Sequence, residues 1–137
     1  MHKVFVDTNI LVYALDRNDL KKQRLARQAI ASLNEESVGV ISTQVIQEFY
    51  VTAVNKLSVK PLEAKRMILN FENLEIIQVE MEHIKEAIDC SILNQVSFWD
   101  ALIIVCAQSA RCETLWSEDL SHSQTFKNVK VENIFKK

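Results

Sequence analysis

Apolar residues along this chain alternate between two textures: short unbroken runs, and longer stretches in which they recur every three or four positions. The first run covers residues 4–6 and stops at Asp7; the pattern then turns helical through Ile10, Leu11, Ala14 and Leu15. Such a pattern describes a buried strand that passes at once into a helix, with a carboxylate at the strand's carboxyl end. Residues 38–42, 75–79, 114–117 and 129–131 read as four further strands, the last of them weak. Helices are expected between them. Residues 19–36 carry Leu25, Ala29, Ile30 and Leu33 on one side, and a helix capped by Ser42 or Thr43 runs to about residue 56 with Val45, Ile46, Phe49 and Ala53. Pro61 opens a helix over 61–72 with Ala64, Ile68 and Phe71 inward. Residues 81–95 turn Ile84, Ala87, Ile88 and Ile92 to one face, and residues 97–111 form the last helix. This β-α alternation predicts an α/β fold, a mostly parallel sheet of about five strands with helices on both faces. In open sheets of that kind, ligands bind beyond the carboxyl ends of the strands.

Composition narrows the picture. At 137 residues, 48% hydrophobic and 25% charged, the chain fits one domain over residues 1–137. One Gly and one Pro leave no room for a glycine-rich phosphate loop or a turn-rich all-β fold. A net charge of −2 gives no global attraction to nucleic acid, so a polyanion would need a local basic patch. Lys21, Lys22, Arg24 and Arg27 cluster on one helix, where a solvated face is the plainer reading and phosphate contact the other. Cys90, Cys106 and Cys112 are odd in number and lack a Cys-x-x-Cys pair, which fits buried free thiols and excludes a disulfide framework or zinc site. No leader pattern and no apolar run near the roughly 20 residues of a membrane span are present, so the expected location is the cytoplasm.

Four acids occupy comparable places: Asp7 after the first strand, Glu48 on the helix after the second, Asp100 at a helix start and Asp119 after the fourth strand. Each has a plain structural reading. Asp7 suits a helix N-cap, and Ser97 with Asp100 has capping-box spacing. Glu48, however, stands between Val45 and Val51 on the core side, where a carboxylate costs several kcal/mol unless paired, protonated or bound to a cation. Asp100 shares the face of Ile103, Ile104 and Ala107. Brought to one sheet edge, the four would repel one another, and hard divalent cations with oxygen ligands are the natural remedy: Mg²⁺, or Mn²⁺. Two such ions roughly 3.5–4 Å apart serve in-line phosphoryl displacement. His83 and His122 have no second ligand at metal spacing, and Glu82, Glu86 and Asp89 face solvent. Trp99 is either core or a wall of the site.

Four stretches together resemble the PIN-domain ribonucleases, in particular the VapC-type toxins of toxin–antitoxin pairs: Val-Phe-Val-Asp7-Thr8-Asn9-Ile-Leu-Val-Tyr-Ala-Leu-Asp, Gln44-Val-Ile-Gln-Glu48-Phe49, Ser97-Phe-Trp-Asp100-Ala-Leu-Ile and Trp116-Ser117-Glu118-Asp119-Leu. Their order and their strand or helix settings match over essentially the whole chain. The resemblance implies a PIN-like three-layer sandwich and metal-dependent endonucleolytic cleavage of RNA. It implies Asp7, Glu48 and Asp100 as catalytic ligands of Mg²⁺ or Mn²⁺, with Asp119 as a fourth acid and Glu118 as its rival for that place. It further implies Asn9, Ser117 and, more weakly, Thr8 as residues that orient the carboxylates, a homodimer, and a small cognate antitoxin that occupies the site. The loop of Ser121, His122, Ser123 and Gln124 lacks the glycine that similar members carry.

Two other classes compete with a toxin endoribonuclease. A silent PIN-like module that binds RNA or protein would have no need of buried carboxylates. A phosphatase of the haloacid-dehalogenase type expects a second acid at the place of Asn9, and a phosphoacceptor domain expects a Lys after a late strand, where Ser117, Glu118 and Asp119 stand.

Overall fold

The computed structural model describes residues 2–136. Its centre is a sheet of six strands, β1 (His2–Val6), β2 (Ser37–Ser42), β3 (Glu75–Ile77), β4 (Thr114–Trp116), β5 (Thr125–Phe126) and β6 (Val129–Glu132), in spatial order β3-β2-β1-β4-β6-β5. All neighbours are parallel except the edge strand β5, which runs antiparallel to β6. Helices α1 (Thr8–Tyr13), α2 (Leu20–Ala31), α3 (Thr43–Asn55), α4 (Pro61–Leu69), α5 (Met81–Asn94) and α6 (Phe98–Ser109) fill the connections.

The unbroken apolar runs explain why helices cover both faces of the sheet. Successive side chains of a strand point to opposite faces. Val4, Phe5 and Val6, then Val40, Ile41 and Ser42, then Leu115, Trp116 and Ser117 are all buried, so β1, β2 and β4 have no wet face. In β6, Val129 and Val131 are buried while Lys130 and Glu132 are exposed, the alternation of a strand covered on one side. β5 is the strand beyond the expected five; two residues are too short to show a period. Its hairpin with β6 closes without glycine because Lys127 and Asn128 both adopt left-handed backbones, φ 49° and 69°, and just before β5 the Ser123 N–H donates to the Val131 carbonyl at 2.8 Å.

Helix α2 ends at Ala31, short of residue 36, where the Asn34 side chain accepts from the N–H groups of Glu36 and Ser37 and so turns the chain into β2. Helix α4 ends at Leu69 and tightens into a 3-10 turn, Asn70–Asn73. In α5 the inward face is rotated from the expected one: Ala87 and Cys90 are buried, whereas Ile88 and Ile92 are exposed. This helix packs chiefly on α6, and small residues let the two axes approach. Helix α6 lies across β2, β4 and β6 with Ala101 through Ala107 buried. It is enclosed by its own core, and no helix among the described residues is long and apolar enough to cross a membrane.

The chain bends by 116° between α5 and α6, at a joint where Gln95 takes φ 54° and ψ 43°. That joint delivers Ser97 as N-cap of α6 and so aims its first turn. A side chain at a left-handed position costs free energy that glycine avoids. Gln95→Gly should therefore raise unfolding stability by up to about 1 kcal/mol in urea titrations, and Gln95→Val should lower it by about 1–2 kcal/mol.

Candidate active site

From β1 the chain steps outward through β2 to β3, and the connection through α5 and α6 then returns it to the opposite side of β1 as β4. Connections that leave in opposite directions open a crevice beyond the carboxyl ends of β1 and β4, the position where open parallel sheets hold ligands. Val6 pairs with Trp116, and the Asp7 N–H donates to the Trp116 carbonyl at 3.0 Å. The ladder therefore sets Asp7 and Ser117 side by side in the crevice.

Asp7 is the N-cap of α1, yet capping does not account for its surroundings. Its Oδ1 accepts the Thr8 N–H at 2.7 Å and its Oδ2 accepts the Ser117 hydroxyl at 2.9 Å, with the residue only 6% exposed. The Thr8 hydroxyl donates to Glu48 Oε1 at 2.7 Å, so one residue holds two of the acids. Asn9 donates through Nδ2 to Asp119 Oδ2 at 3.1 Å. Asp100 gives its backbone N–H to the Ser97 hydroxyl at 3.1 Å, while the residue itself lines the cleft. Its capping and cleft-lining readings are met by different atoms. Asp7, Glu48, Asp100 and Asp119 share one cleft of about 730 Å³.

Glu118 and Asp119 part company. Glu118 accepts the Tyr13 hydroxyl at 2.9 Å and is ion-paired with Lys22; Asp119 is held by Asn9 and feels the charge of Asp100. Lys22 thus belongs to the rim of the cleft rather than to a solvated basic face, and Arg27 is also engaged, donating to the Ala14 carbonyl at 2.8 Å. Signals for these contacts were available only in part. Gln44, whose Nε2 lies 3.5 Å from Glu48 Oε2 and 3.4 Å from the Trp99 carbonyl, is four residues before Glu48 on one helix, a spacing that brings side chains together. Nothing in the local pattern joins Lys22 to Glu118. His83 and His122 accept backbone N–H groups of Glu80 and Asn133, and the three cysteines are buried and free, with burial pushing Cys106 up to about 11 and Cys112 up to about 12.

The electrostatics of the cleft are those of acids short of a cation. Burial pushes the Asp7 carboxyl up to about 7, with repulsion from Glu48 and Asp119 adding to it and the Thr8 and Ser117 hydrogen bonds working against it. Asp119 is raised as well, first by burial and then by Asp100 and Glu118. Two side-chain oxygens, Asn9 Oδ1 and Gln44 Oε1, are buried without a partner. An oxygen-only, negatively charged donor set suits Mg²⁺ or Mn²⁺. Among the described residues no three His, Cys, Asp or Glu side chains converge tightly enough to hold a metal unaided.

These features define a class: an open parallel α/β domain with an acidic cleft at its topological switch point. The PIN domain family model matches residues 4–128, and the chain belongs to the PIN domain family. Its fold is also that of solved toxin structures. VapC20 of Mycobacterium tuberculosis, described as a sarcin–ricin-loop-cleaving toxin, superposes with a TM-score of 0.71 at 17% identity, over 85% of this chain and 91% of that one. A toxin–antitoxin complex from Klebsiella pneumoniae gives 0.68 at 21% identity over 92% and 94%. VapBC2 of Rickettsia felis, bound to a DNA fragment from its promoter, gives 0.65 at 20% identity over 96% and 98%. No curated protein sequence matches the chain significantly.

Without a cation, the Asp7 charge opposes folding. The folded carboxyl titrates near 7 and the unfolded one near its ordinary 3.8, so the penalty is complete above about pH 7 and vanishes as pH falls toward 4. Asp7→Asn, which keeps the shape and the acceptor for the Thr8 N–H while its amide NH2 donates to the Ser117 hydroxyl in a reversed bond, should raise the thermal midpoint in EDTA at pH 8 by a few degrees. The gain should shrink at pH 5. A lower midpoint at every pH would mean that the two hydrogen bonds outweigh the charge.

Proposed function

We propose that the protein is a divalent-cation-dependent endoribonuclease, the toxin of a toxin–antitoxin pair, acting in the cytoplasm as one PIN-like domain that forms a homodimer and is restrained by a small antitoxin. The observation that carries this reading is Asp7, buried at the switch point in one cleft with Glu48, Asp100 and Asp119, where its hydrogen bonds do not offset the burial and repulsion that a cation or a proton would relieve. Membership of the PIN family supports the nuclease, and the toxin–antitoxin complexes among structures of similar fold support the antitoxin.

Asp7, Glu48, Asp100 and Asp119 would hold the cation, with its waters completing the coordination. A bound Mg²⁺ or Mn²⁺ supplies positive charge to the reacting phosphodiester and makes water a competent nucleophile. The remaining work falls to the chain. Ser117 and the Thr8 N–H lock the Asp7 carboxylate, and the Thr8 hydroxyl sets Glu48 relative to it. Asn9 holds Asp119. Lys22 pairs with Glu118 and so offsets part of the repulsion that this fifth acid adds at Asp119. Positioning of this kind, second to the ligands themselves, is commonly worth 10- to 100-fold in metal affinity or activity.

Purified protein incubated with total cellular RNA should produce discrete fragments with Mg²⁺ or Mn²⁺ and none with EDTA. Asp7→Asn and Asp100→Asn should both abolish cleavage while remaining folded by circular dichroism, and Ser117→Ala should reduce it by about ten- to a hundredfold. Identical cleavage by wild type and both Asn variants would refute the site. RNA binding without cleavage under any metal would make the protein a binding module.

A further inference from the structure

The charge balance of the cleft constrains how an anionic strand is held there. Asp7, Asp16, Glu48, Asp100, Glu118 and Asp119 line it, Lys56 is the one base among its described lining residues, and Lys22 at the rim is already paired with Glu118. Cations that neutralise the acids leave little surplus positive charge, so phosphate contacts cannot supply most of the affinity as they do on basic surfaces. The cleft offers an aromatic face instead. Trp99 directly precedes Asp100 in the first turn of α6, lines the same cleft, and is 60% exposed, uncommon for so large an apolar side chain.

The indole is also held in place. Phe98, packed against the core, meets it edge-on with ring centroids 5.1 Å apart at 74°. The Trp99 carbonyl lies 3.4 Å from Nε2 of the buried Gln44, which also reaches toward Glu48. A fixed, solvent-facing indole beside a reactive-site carboxylate presents a π-face that any base can stack on. Bases inside a duplex have no free face to give it.

We infer that Trp99 is a stacking platform for an unpaired base next to the phosphate being cut. This rests on the nuclease reading of the same cleft.

The protein has two tryptophans, and Trp116 is buried, so fluorescence quenching by ligand reports on Trp99. In an Asp7→Asn background with Mg²⁺, a single-stranded oligoribonucleotide of mixed sequence should quench the fluorescence, and the matching duplex should bind several-fold more weakly. Trp99→Ala should lose roughly tenfold in single-strand affinity, measured by anisotropy of a labelled oligonucleotide, and Trp99→Tyr should recover most of it. In the active protein, Trp99→Ala should raise KM for a single-stranded substrate by a similar factor, with a smaller change in kcat. Equal affinity of Trp99→Ala and its parent, or equal affinity for duplex and single strand, would overturn the platform. So would a shift of Trp99→Ala from dimer to monomer in sedimentation with RNA affinity unchanged, which would assign the indole to an interface between copies. Quenching with the Ala and Tyr order intact, but no metal-dependent cleavage by wild type, would uphold the stacking site and refute the nuclease alone.

Discussion

A carboxylate kept out of water among other carboxylates is the constraint around which this fold is arranged. Asp7 sits beyond the last residue of the central strand, and its two oxygens are taken by Thr8 and by Ser117 from the neighbouring strand. Those two bonds do not offset its burial, since its carboxyl still titrates near 7. The strained charge persists because both ends of the arrangement are rigid. The β1–β4 ladder fixes Asp7 against Ser117, and the fully buried α6 fixes where Asp100 enters the cleft. A site built from sheet ends and helix starts can hold like charges together in a way that a loop, free to relax, cannot.

The polar residues around the acids divide the work by geometry. Thr8 bridges Asp7 and Glu48, which come from the first and third helical segments, and Asn9 reaches across to Asp119 beyond β4. Lys22 and Tyr13 draw Glu118 to the rim, where Phe135 also packs edge-on to Tyr13. Stability and function pull in opposite directions here: the cluster that weakens the metal-free protein is the one that gives a cation reason to bind. PIN family membership fits that balance.

Much of this architecture is legible from patterns alone. The unbroken runs at residues 4–6 and 38–42 predict strands covered on both faces, and both are so covered. The helix starts at Thr43, Pro61 and Met81 fall where their caps and periodicity put them. The pattern misleads where one local arrangement has two tertiary solutions. In α5 the apolar set Ile84, Ala87, Ile88 and Ile92 is compatible with more than one inward face, and the close approach of α6 selected Ala87 with Cys90. The two-residue β5 shows no periodicity, and its hairpin turns on Lys127 and Asn128, of which only Asn128 is a residue type that favours a left-handed backbone.

For the site, the division is sharper. Sequence by itself determined the acids at strand ends and helix starts and the family resemblance carried by four separated stretches. Each of these is local, set by period and capping within a few residues. Only the tertiary structure decided that β4 lies against β1, and so that Asp7 meets Ser117 across 110 positions of chain. It also decided that Lys22 answers Glu118, and that Trp99 stands in the open beside Asp100 instead of in the core. Strand order, long-range pairing and the exposure of one side chain depend on how whole layers pack, and packing of that kind leaves no period in the sequence.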